Sequence, residues 1–136
     1  MAQVEKVMDC VAICAARISQ EAAIYSLANL GGWRDEKVAM MAHRRDELHS
    51  AFREKNVGYE LLSCGAFFAY LRHPFEGRDG TAVARWLARE YGVMCVPGDM
   101  FGPEQGPYLR LAFANLETER VRDLVDRLAE SQHGAP

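Results

Sequence analysis

The apolar residues of this chain keep a helical spacing as far as Asn56 and then give it up for aromatic and alternating runs. That change of period constrains the fold more than any other feature. A helical first third has to be joined to a smaller sheet, and the sheet needs helices to cover one face. Before the change, Val4, Val7, Met8 and Val11 fall at i, i+3, i+4 and i+7, followed by the less regular "CVAICAAR". Ser19 is the expected N-cap of a second helix, "QEAAIYSLANL". Glu21 sits in its first turn and Gly31-Gly32 closes it. A third helix, the longest, is predicted from Trp33 to Lys55. Its core stripe is Val38, Met41, Leu48 and Phe52, widened by Ala42 and Ala51, with Arg44, Arg45, Asp46, Glu47 and Arg53 largely outside it.

Beyond Asn56, "YELLSCGAFFAYLRH" reads as two short strands or one bulged strand around a glycine. "FEGRDG" is a loop. Thr81 to Tyr91 returns to helical spacing with Gly92 as its C-cap, and "VMCV" is a short buried strand. A loop from Pro97 to Pro107 leads into the strand "YLRLAFA". The last helix carries Val121, Leu124, Val125 and Leu128 on one face. The expected fold is a two-layer α+β domain: N-terminal helices, one of them long, then a small, mostly antiparallel sheet with helices packed on one face.

At 136 residues the chain has an ordinary domain length, and a net charge of -3 supplies no attraction for nucleic acid or an anionic membrane. No apolar run approaches the ~18 residues of a membrane helix. The opening "MAQVEKVMDC" lacks the basic-then-apolar order of a secretory signal, so a cytoplasmic protein is expected. Cysteines 10, 14, 64 and 95 form no C-x-x-C pair and are expected as buried, reduced thiols. His43 and His49 are six apart on a helix, on different faces, and make no metal clamp; no metal site is expected. His73, in "RHPF", reads as an ordinary strand-end residue.

One charge stands out. In "YLRLAFA" the two-residue period sends Leu109, Leu111 and Phe113 to one face and Tyr108, Arg110 and Ala112 to the other. Arg110 therefore points away from the helix-covered layer, beside a Gly-rich loop that lets a ligand approach the backbone closely. Its planar fork suits a carboxylate or a phosphate. A surface arginine paired with an acid or left in water fits the same spacing.

The stretches "GAFFAYLRHPFEG", "GVMCVPGDMFGP" and "YLRLAFANLETERVRDLVDRLAE", in this order and at these distances, resemble the C-terminal part of a class I/II aminotransferase, a fold-type-I pyridoxal-phosphate enzyme. The likeness extends back through "ICAARISQEAAIYSL" to nearly the whole chain. Its most specific element is G-V-x-x-x-P-G-x-x-F-G followed by the arginine-bearing strand. The resemblance implies that residues 1–32 are a helical segment joining a large domain and that 33–136 are the small C-terminal domain, one structural unit overall. It makes Arg110 the arginine that grips the α-carboxylate of an amino acid or 2-oxo acid. It also lines the substrate cleft with the Pro97–Gly102 loop, Gly98 included, with Phe101 as an apolar wall; Phe101 as a core plug fits equally.

The family's lysine segment, which holds pyridoxal phosphate, and its Gly-Trp-Arg-x-Gly-Tyr-like phosphate segment do not occur here. "GGWRDEK" at 31–37 lies after the second helix and has no Gly-Tyr, so it does not correspond. Lys6, Lys37 and Lys55 sit among charged helical neighbours, with nothing to activate them. The expected reading is a C-terminal aminotransferase fragment with no catalytic residue of its own. It would hold pyridoxal phosphate poorly alone and would be inactive when isolated. The family's habit of pairing subunits implies a homo-oligomer, with Val11 to Arg17 near the interface and Val4, Val7, Met8 and Val11 as a self-association stripe. Two other readings stay open: a non-catalytic amino-acid-binding module, and one half of a split enzyme completed by a large-domain chain.

Overall fold

The computed structural model of the chain describes residues 2–11, 14–134 and 136. Ala12 and Ile13, within the stretch expected near a subunit interface, lie outside the described residues. By its internal contacts the chain divides into Met1–Val38 and Ala39–Pro136.

The first unit is helical. Helix α1 (Ala2–Val11) and helix α2 (Arg17–Asn29) contain no buried residue. Helix α2 starts two residues before the expected cap: Ala16 holds the N-cap position without a side-chain bond, and Ser19 lies inside the helix. Just before the helix, the Ala15 carbonyl accepts from Gln20 Nε2 at 2.7 Å, and Arg17 pairs with Glu21 one turn on at 3.6 Å. Gly31 and Gly32 do not close α2. The break is a single residue, Leu30, and both glycines open helix α3 (Gly31–Glu54). Neither takes the positive φ by which a glycine ends a helix.

The second unit holds the core. Four strands, β1 (Glu60–Gly65), β2 (Phe68–Arg72), β3 (Cys95–Pro97) and β4 (Tyr108–Ala112), form an antiparallel sheet in the order β1-β2-β4-β3. The glycine-centred run is thus a hairpin, and β1 also carries a register irregularity between Leu61 and Ser63. Against one sheet face lie Leu48 and Ala51 of α3, Val83, Ala84 and Leu87 of helix α4 (Gly80–Glu90), and Val121, Val125 and Leu128 of helix α5 (Thr118–Ser131). They form one buried cluster with Ala69, Leu71, Leu109, Leu111 and Phe113. The period-two expectation for β4 holds: Leu109, Leu111 and Phe113 are at most 2% exposed. Gly92, at φ 63°, turns the chain after α4, and the Val93 amide returns to the Leu87 carbonyl at 3.1 Å.

Four expectations fail on burial. Arg44, assigned outside the α3 stripe, is 7% exposed, whereas Val38, assigned to the core, is 61% exposed. The reason is reach: the Arg44 guanidinium bonds the Ala114 carbonyl and, at 3.3 Å, the Glu117 carboxylate, so a long polar side chain takes a core-facing position. Cys10 and Cys14 are exposed and Cys64 and Cys95 half-buried, all four free thiols. The strand expected at "VMCV" begins at Cys95 and is half-buried, because β3 is an edge strand paired only with β4.

Candidate functional site

The pairing of β2 with β4 sets Tyr70 opposite Arg110, Phe68 opposite Ala112 and Arg72 opposite Tyr108, and β3 adds Val96 on the other side of Arg110. Alternation then puts Phe68, Tyr70, Val96, Tyr108 and Arg110 on the sheet face away from the buried cluster. Tyr70 and Tyr108 stack at 5.5 Å with 25° between their planes, and the Tyr70 hydroxyl donates to Gln105 Oε1 at 2.7 Å. The Arg110 guanidinium carbon lies over two aromatic rings, 4.3 Å from the centroid of Phe68 and 4.3 Å from that of Phe101. Its Nε is buried and has no hydrogen-bond partner. Among the described residues no acid makes an ion pair with Arg110. A half-buried guanidinium with aromatic neighbours and no acid paired to it is suited to an anionic acceptor.

Phe101 reaches Arg110 because the loop after β3 winds at once into a 3-10 turn, Gly98–Phe101. Gly98 makes that turn possible from inside: a side chain there would meet the Gln105 carbonyl and stand 2.9 Å from the Tyr108 carbonyl. Its small size therefore serves the packing of the loop on itself. The far end of the loop is held by His73, which is 6% exposed and does more than close a strand. The His73 backbone amide donates to Pro107 at 3.0 Å, the Phe75 amide donates to Nδ1 at 3.3 Å, and Nε2 lies 3.3 Å from the Gly106 carbonyl. Those partners select the neutral Nε2–H tautomer, and burial lowers the imidazole pKa below its ordinary 6.5.

Of the three residues singled out from sequence, the fold brings Arg110 and Phe101 together and turns Gly98 into the loop. Phe68 and Tyr70 went unnoticed. Their alternation with Ala69 and Leu71 was readable, but only the register across β2 and β4 shows which of them faces Arg110. Among the described residues no group of three or more His, Cys, Asp or Glu could hold a metal.

The second unit is therefore an antiparallel α+β domain with an arginine flanked by two aromatic rings on the sheet face away from its core. The chain belongs to the class I and II aminotransferases, whose family profile matches residues 2–128. It is 35% identical over 123 residues to the aromatic aminotransferase ISS1 of Arabidopsis thaliana, an alignment covering 90% of this chain and 31% of the relative. Among solved structures, a multiple-substrate aminotransferase from Thermococcus profundus superposes with a TM-score of 0.73 at 29% identity, over 93% of this chain and 32% of that one. An archaeal alanine:glyoxylate aminotransferase gives 0.75 at 25% identity, over 90% and 31%. The chain spans about a third of the length of these relatives.

Enzymes of this family use pyridoxal phosphate, and the lysines described here do not suit it. Lys6 is exposed, Lys37 pairs with Glu36 at 2.7 Å, and Lys55 pairs with Asp126. None is desolvated as a cofactor-holding lysine has to be.

Proposed function

We propose that the chain is the C-terminal portion of a pyridoxal-phosphate-dependent aminotransferase and that Arg110 binds the α-carboxylate of the amino acid or 2-oxo acid. The observation that carries this reading is the Arg110 guanidinium itself, with its Nε buried and unbonded between two elements that converge on it. A fork of N–H donors fits the two oxygens of a carboxylate, and fixing that end of the substrate orients its α-carbon for reaction. Phe101 gives the cleft an apolar wall. Proton transfer and cofactor binding fall to residues other than Lys6, Lys37 and Lys55, so the isolated chain binds amino acids weakly and does not transaminate. A cytoplasmic homodimer is the form we assign to the enzyme; among the described residues no helix is long and apolar enough to cross a membrane.

A direct test titrates the chain with L-alanine by NMR and then supplies pyridoxal phosphate. We expect saturable shifts around Arg110 that vanish in Arg110→Leu, and no conversion of the cofactor to its pyridoxamine form. Shifts that persist in Arg110→Leu refute the carboxylate role; conversion by the pure chain refutes the inactivity. A second reading is one half of a two-chain enzyme, whose separate large-domain chain would cover the unburied helices α1 and α2. Co-purification with a separate chain bearing pyridoxal phosphate would establish it.

A further inference from the structure

We propose that Phe68 and Phe101 are positioning residues that hold the Arg110 guanidinium ready for its anion before any ligand arrives. The proposal rests on the carboxylate reading of Arg110 given above. At 4.3 Å from each ring centroid, the guanidinium carbon lies well inside the ~6 Å over which a cation is drawn to an aromatic face.

The choice of partner decides what the arginine can still do. An aspartate or glutamate would fix Arg110 equally well but would occupy the N–H donors that a ligand carboxylate needs. An aromatic face attracts the positive charge and offers no acceptor in the guanidinium plane, so the donors stay available. The Nε, buried with no protein partner, shows that the rings hold the guanidinium without supplying an acceptor of their own. The rings are themselves held. Phe68 sits on β2 with Phe67 against it edge-on, centroids 6.4 Å apart and planes at 82°. Phe101 ends the 3-10 turn that Gly98 packs beneath Tyr108. A long, mobile side chain is thereby brought to one place by two separate elements, which removes rotamer freedom that ligand binding would otherwise have to remove.

The test uses the whole chain with arginine labelled in nitrogen-15 and propionate as the probe. The Arg110 Nε–H signal is identified by its loss in Arg110→Lys. In the unsubstituted chain propionate should move that signal saturably. Phe68→Leu and Phe101→Leu should each weaken propionate binding by about fivefold and speed exchange of the Nε proton with water. Phe68→Tyr, which keeps the ring face, should restore both. Phe68 and Phe101 are 40% and 46% exposed, so the leucine variants should unfold at nearly unchanged urea concentration. If Arg110 responds to propionate and both leucine variants match the unsubstituted chain, the positioning role is refuted alone. If Arg110 ignores propionate in the unsubstituted chain, the carboxylate reading fails and takes this proposal with it.

Discussion

Arg110 and Gly98 do opposite jobs within one loop and strand. Arg110 faces outward from the buried cluster, so Arg110→Leu should cost function and little stability, within about 1 kcal/mol by urea denaturation. Gly98 faces inward, and no flexible side chain stands ready to move: a Cβ there would stand 2.9 Å from the Tyr108 carbonyl and closer still to that of Gln105. Gly98→Ala should therefore destabilise the chain by about 1–3 kcal/mol. It should also weaken amino-acid binding, because the same turn carries Phe101 to Arg110. A urea midpoint equal to that of the unsubstituted chain would show that the loop repacks freely. Arg44 makes the complementary point: its charge predicted exposure, and its carbonyl and carboxylate partners bury it.

Among the elements, α3 and α5 are tied across their exposed sides by Arg122, which bonds Glu47 at 3.0 Å and Glu54 at 2.7 Å. Hydrogen bonds from Arg122 and from Ser50 hold the Glu54 carboxyl down to about 2 from an ordinary 4.5. A carboxylate with a depressed pKa favours the folded chain wherever the unfolded chain would bind more protons. Its contribution is complete above pH 4.5 and is lost as the pH falls through about 2. Urea midpoints measured across that window should fall less steeply in Glu54→Gln than in the unsubstituted chain; equal slopes would show that the tie contributes nothing. Because the partners are exposed, added salt should shrink the difference.

For the whole molecule, the exposed apolar residues of α1 are the feature with the widest consequence. Val4, Val7, Met8 and Val11 are 61%, 61%, 56% and 76% exposed, a stripe that an isolated chain gains by covering. Self-association through it should appear in sedimentation at high concentration and weaken in Val7→Glu; a monomer at all concentrations would refute it. The sequence by itself determined the order of helices and strands, the buried side of β4 and α5, and the outward direction of Arg110. Each of these follows from a period of 2 or 3.6 residues, which the local backbone imposes on neighbours along the chain. Only the tertiary structure decided that Phe68 faces Arg110, that Gly98 is filled by the chain's own carbonyls and that Arg44 is buried, because each depends on strand register or on contacts between residues distant in sequence.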